Sequence, residues 1–140
     1  MSLVENKAIV RRGWEEIWNK GNLTIAPEHY ALTYVSHMPG NPDMYGPEGH
    51  NQLVTMYRTA FPDLHFTVED QIAEGDKVVN RVTARGTHLG EFRGIPPTGK
   101  PITVTGITID RIAGGKLVES WASWDFLGLL QQLGVVPKSG

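Results

Sequence analysis

Residues Ile102–Phe126 read ITVTGITIDRIAGGKLVESWASWDF, and this stretch decides the fold. Two strand-like runs, Pro101 to Ile112 and Leu117 to Asp125, flank Gly114-Gly115, where the chain can take the positive φ of a tight hairpin turn. Along the second run Glu119, Trp121, Ser123 and Asp125 share one face, and Val118, Ser120, Ala122 and Trp124 share the other. On the first run Gly106 and Thr108 oppose Ile107 and Ile109. A three-residue connection with a glycine bulge sets Ser120 and Ala122 beside Gly106 and Thr108, while a two-residue link aligns Thr108 with Trp121. On the first pairing, small side chains meet across the strands. They leave a hollow floored by Gly106, Thr108, Ser120 and Ala122 and walled by Trp124, with Asp125 pointing away.

Upstream, Leu64, Phe66, Val68 and Ile72 alternate with His65, Thr67 and Gln71, the period of a strand with one buried face. Glu74-Gly75-Asp76 turns the chain into a returning strand from Lys77 to Gly86, and residues 89–100 form a long loop. The N-terminal part has helical periodicity instead. Val10, Trp14, Ile17 and Trp18 define an amphipathic helix ending at Gly21-Asn22. A short helix is predicted from Ile25 to Ala31, an extended piece over residues 34–37, and a third helix from Pro47 to Phe61. Its apolar face carries His50, Leu53, Val54 and Tyr57. A short terminal helix runs from Phe126 to Leu133 and stops at Gly134. Helices first and antiparallel strands afterwards make an α+β domain, a strongly curved sheet closing into a cone with helices on one face. Such a cone suits a buried small-molecule site.

The 140 residues suffice for one domain, taken as 1–140, with a core of its own. A formal net charge of -2 offers no basic field for nucleic acid. The chain has no cysteine, which excludes disulfides, thiolate nucleophiles and Cys-ligated zinc. No apolar stretch approaches membrane-spanning length and no signal peptide is visible, so a cytoplasmic protein without membrane contact is expected.

Candidate chemical groups are few. The histidines lack the ordered close spacing of a metal site, so none is assigned, and His29 and His65 are expected at the surface. His50, on an apolar helix face, is either a satisfied core imidazole or a polar group facing a cavity. His37 opens a Gly/Pro loop at a position typical of a pocket rim, and His88 lies within reach of the mouth. Arg81 either snorkels outward from its strand or points inward to a carboxylate or a ligand anion. These considerations nominate His37, His50 and Arg81 for catalysis and Tyr57, Thr108, Asp110, Ser120, Ala122 and Trp124 for ligand binding.

Five motifs share an order and a spacing: Gly46-Pro47-Glu48-Gly49, Ala60-Phe61-Pro62-Asp63, Gly86-Thr87-His88, Gly94–Gly99 (GIPPTG) and Leu129–Gly134 (LLQQLG). In them the chain resembles the SnoaL-like proteins, the polyketide ester cyclases and their relatives, from about residue 6 to residue 134. The resemblance implies the cone fold also found in ketosteroid isomerases and nuclear transport factors. It also implies a homodimer, for which Trp121 on the outer sheet face would suit an interface. It implies, too, an intramolecular aldol ring closure needing neither metal nor organic cofactor. Cyclases of this kind use an aspartate on the last strand and a histidine on the strand before it. Residue by residue, those places fall on Ala122 and Thr108 here, and Asp125 matches a different acidic residue. Two readings follow: a cofactor-free enzyme of isomerase, lyase or cyclase type for an apolar, carbonyl-bearing compound, or a non-catalytic protein that binds a hydrophobic ligand. A third treats the cone as an oligomer-forming scaffold filled by its own side chains.

Overall fold

Helical and strand periodicities give way to each other near residue 61; the computed structural model, which describes residues 2–136, keeps the four longest strands after that point and sets two shorter ones before it. Helix α1 (Leu3–Arg12) opens on a capping box in which Ser2 and Glu5 satisfy each other's backbone N–H groups. It continues as a π-helix over Gly13–Asn19. The helix end is finished from outside, because the Arg58 guanidinium donates to the carbonyls of Trp18 and Asn19. Asn19 then exchanges two hydrogen bonds with the backbone of Phe66 and so pins the helix to the sheet edge.

A 3-10 turn (Leu23–Ile25) leads into α2 (Ala26–His29), β1 (Tyr30–His37), β2 (Met44–Tyr45) and α3 (Gly46–Ala60). The expected helix from Ile25 to Ala31 is therefore shorter, because Tyr30 is already strand. The remaining elements are β3 (His65–Glu74), β4 (Lys77–Thr87), β5 (Pro101–Ala113), β6 (Lys116–Trp124) and α4 (Phe126–Leu133). The order across the six-stranded sheet is β2-β1-β6-β5-β4-β3. Among the described strands only the β1–β6 pair is parallel.

Helix α1 packs on β3 and β4, α3 on β1 and α4 on β5, so the helices cover one face and the core lies between. Ile17 and Val54 from the helices meet Val78 and Val82 from the sheet, all fully buried. Each such side chain contributes about 1.5–3 kcal/mol by leaving water. No described helix is long and apolar enough to cross a membrane.

Two bulges set which side chains face inward. In β3 the register slips between Val68 and Asp70. The parity reverses there, so Ile72 points outward at 62% exposure and Gln71 turns toward the core, against the simple alternation expected. The β5–β6 link is the two-residue one, with Ala113 opposite Lys116 and positive φ at both Gly114 and Gly115. Left uninterrupted, that turn would align Thr108 with Trp121. A second bulge, at Val118, restores the parity and places Thr108 opposite Ala122, Asp110 opposite Ser120 and Gly106 opposite Trp124.

Candidate active site

The inward row of β5 (Val104, Thr108, Asp110) and the rings of the N-terminal helices line a cavity of about 110 Å³, while Gly106, in the same row, is covered by Trp124. That is room for several waters at the usual allowance of about 10–15 Å³ each. Its walls are aromatic: Trp14 and Trp18 from the π-helix, Tyr57 from α3, Phe66 from β3 and Trp124 from β6. Trp14 and Trp18 both meet Phe66 with ring centroids 5.0 Å apart. The π-helix widens the turn that carries both indoles, a distortion often met at functional sites.

Against this apolar wall stands a polar seam. Asp110 is buried and lines the cavity. Ser120 donates its hydroxyl to Asp110 Oδ1 at 2.5 Å, and Asn80 Nδ2 donates to Oδ2 at 3.0 Å. Burial pushes the carboxyl up to about 6, with the Ser120 and Asn80 bonds pulling the other way. Asn80, fully buried, also donates to Thr108 Oγ1 at 3.1 Å and accepts from Gln71, which Arg11 and the Lys7 carbonyl orient in turn. The amide that holds Asp110 is thus fixed from the surface inward.

Tyr34 joins the seam through hydrogen bonds with Ser120 and Ser36. Burial raises its hydroxyl and that of Tyr30, and the negative charge of Asp110 adds to both, so both stay protonated at neutral pH. The Tyr30 hydroxyl lies 3.0 Å from His50 Nε2, and the two rings stack at 4.2 Å. Burial drives His50 down to about 3 and His29 down to about 4, with the Arg12 charge adding to the second. Both imidazoles are neutral, and His50 Nδ1 and His29 Nε2 have no hydrogen-bond partner.

The structure therefore gathers His50, Tyr57, Thr108, Asp110, Ser120, Ala122 and Trp124 around one cavity. Two nominated catalytic groups lie elsewhere. Arg81 is exposed, because the inward positions of β4 belong to Val78, Asn80 and Val82. His37 is not among the cavity residues: it bridges Asp43 and Glu119 at 3.0 and 2.8 Å and stacks on Trp121. Those carboxylate bonds, led by Glu119, raise its pKa. His29 is buried rather than at the surface, and His88 is a fully buried pin that bonds Thr98 inside the 88–100 loop instead of reaching the mouth. Asp125 caps α4 by accepting from Gly128 N–H and stays out of the cavity.

Sequence reasoning missed Asn80, Tyr30 and Tyr34. For Asn80 a signal existed, since it interrupts the apolar series Val78, Val82, Ala84 on the buried face of its strand. Tyr30 was hidden by the misplaced end of α2, and Tyr34 stood in an extended piece too short to show which face is buried. Among the described residues no three His, Asp or Glu side chains converge as a metal site would require.

A bent mixed sheet under helices, enclosing an aromatic chamber with one buried carboxyl among the described residues, defines an α+β cone protein. More narrowly, the chain belongs to the SnoaL-like polyketide cyclase family, whose model matches residues 8–133. It is 32% identical over 131 residues to the aklanonic acid methyl ester cyclase DnrD of Streptomyces peucetius, covering 90% of this chain and 88% of that one. The nogalonic acid methyl ester cyclase of Streptomyces nogalater is 33% identical over 90 residues, 64% of this chain and 67% of the relative. Among solved structures, AclR from Streptomyces galilaeus, for which hydroxylase activity has been suggested, superposes with a TM-score of 0.87. It shares 31% identity with this chain, over 99% of this chain and 87% of that one.

Proposed function

We propose that this chain is a cofactor-independent cyclase-type enzyme that deprotonates carbon next to a carbonyl in an apolar compound, with Asp110 as the base. The observation that carries this reading is the Asp110 carboxyl: buried, facing the cavity, and raised to about 6. A base in that range is ionised at neutral pH yet strong enough to abstract a proton from a carbon acid. On this reading the base has moved. By the resemblance, the family's usual aspartate and histidine positions fall on Ala122 and Thr108, and the carboxyl would act instead from β5, two residues from Thr108.

The step balances without an outside reagent. Asp110 takes the acidic C–H proton, the enolate carbon bonds to a second carbonyl of the same molecule, and the resulting alkoxide regains the proton. Tyr30 and Thr108 serve as hydroxyl donors to the developing oxyanion, while the Tyr34 proton is held by Ser120, whose own proton goes to Asp110. Thr108 suits that task because its oxygen already accepts from Asn80, which leaves its own proton to give. His50 is neutral and acts by orienting Tyr30, not as an acid. Outward-facing Ile107 and Ile72, 46% and 62% exposed, support a dimer through the outer sheet face.

Incubation with aklanonic acid methyl ester, the compound in the names of two relatives, tests the proposal. The expected product has unchanged mass and a new retention time, and Asp110→Asn should lower its rate of formation at least 100-fold, on the order expected for a lost general base. A product heavier by one oxygen would point to hydroxylation. Non-ionisable Ala122 and Thr108 favour the second reading, a ligand-binding protein without chemistry. A raised melting temperature with the compound recovered unaltered would select it.

A further inference from the structure

Arg93 breaks a local rule of backbone conformation. It is the only non-glycine residue with positive φ among the described residues, at 49°. It sits with Gly94, φ 81°, in the two-residue turn closed by reciprocal hydrogen bonds between Phe92 and Ile95. Such a turn asks for positive φ at both central positions, where asparagine or glycine fits and a longer side chain is unfavourable. Residues that keep a disfavoured conformation are commonly held there by a task.

The surroundings of the side chain indicate the task. Its Cζ lies 4.8 Å from the centroid of the Phe126 ring and 5.3 Å from that of Phe92. Its Nη2 donates to Asn41 Oδ1 in the 38–43 loop and lies 3.5 Å from the Tyr57 hydroxyl. Tyr57, Phe126 and Met38 line the cavity. The guanidinium thus spans two loops at the rim of the chamber and uses one nitrogen in doing so. Nε and Nη1 have no partner among the described residues, and a guanidinium seated over aromatic rings is presented in a fixed plane.

We propose that Arg93 is a ligand-binding residue at the cavity rim, taking an acceptor oxygen of a carboxylate or ester group carried on the apolar ligand. This rests on the reading of the cavity as the ligand site. It adds a second polar contact, so that a ligand is held at the rim by Arg93 while its reacting carbon faces Asp110. The strained turn serves this contact and not stability.

The test uses the full chain and displacement of the fluorescent dye N-phenyl-1-naphthylamine by three matched probes: naphthalene, naphthalene-2-carboxylate and its methyl ester. In the wild-type protein at least one oxygen-bearing probe should compete about tenfold better than naphthalene, the scale of one charge-assisted hydrogen bond. Arg93→Gln should erase that advantage without changing affinity for the dye. An advantage of the carboxylate alone assigns charge pairing, and one shared with the ester assigns hydrogen bonding. No advantage in the wild type, or one that persists in Arg93→Gln, overturns the assignment and leaves Asp110 untouched. Arg93→Gly separates a site from a structural stitch: its melting temperature should equal or exceed the wild type's, and a fall of several degrees overturns the proposal. If the dye does not bind the wild-type protein, the apolar site fails, and Arg93 with it.

Discussion

The Trp124 indole lies against Gly106 so closely that a Cβ built there would stand 2.3 Å from Trp124 Cε3. The glycine is the seat of the cavity wall: its missing side chain lets the ring lie flat over the sheet, 5.6 Å from Phe66 and 6.4 Å from Trp14 by centroid. Gly106→Ala should push the indole into the chamber. The expected cost is about 1–3 kcal/mol, typical of overpacking, read by thermal denaturation together with a shift in tryptophan emission.

Asp110 should trade stability for chemistry. Its folded pKa of about 6 lies above the ordinary aspartate value, so the folded state holds the proton more tightly. Stability is therefore highest below the unfolded value, falls as pH rises toward 6 and stays reduced above it. Asp110→Asn keeps the shape, and its amide oxygen can still accept from Asn80. The variant should gain roughly 3 kcal/mol at pH 7, shrinking to little at pH 4, while losing turnover. Denaturant unfolding at the two pH values checks this. In the wild type, kcat/KM should rise with pH up to about 6 and then level.

The two buried imidazoles work in the opposite direction. His29 at about 4 and His50 at about 3 both lie below the ordinary histidine value. Their contribution is complete above the unfolded value near 6.5 and drains away as pH falls toward the folded values. Two protons taken up by the unfolded chain outweigh the one held by folded Asp110, so net stability should fall between pH 6 and pH 4. A melting curve series should show that loss, and His50→Phe should make its slope shallower.

Gly13 and His29 form a second close pair. A Cβ at residue 13 would lie 2.4 Å from the Nε2 atom of the buried His29 ring. Gly13→Ala should destabilise by about 1–3 kcal/mol, and His29→Ala in the same chain should return part of the loss. A double-mutant cycle measures the coupling, and strict additivity would show that the ring moves aside freely.

Much of the fold was legible because its signals are local. Helix and strand periods, Pro47 and Gly134 at helix ends, and Gly114-Gly115 at the hairpin each speak through a few neighbouring residues, and α3, the four long strands β3 to β6 and α4 stand close to their expected places. The family motifs add order at long range, and the family match confirms them. The site was half legible. Asp110, Thr108 and Tyr57 follow from face-sharing on regular segments. His29 was misplaced and the aim of Arg81 stayed open, because inward or outward aim depends on what the opposite layer offers.

From its sequence alone the chain specified an α+β cone, an apolar interior and a hairpin of small residues between Gly106 and Trp124. Only the tertiary structure decided the chemistry of the floor, and it did so through a single extra residue. A two-residue turn without the bulge at Val118 would have paired Asp110 with Glu119 and Thr108 with Trp121. With the bulge, Ser120 donates to Asp110 and Ala122 faces the chamber. A one-residue slip reverses every side chain of a strand, and whether it occurs is settled by packing across the sheet, which no local pattern encodes.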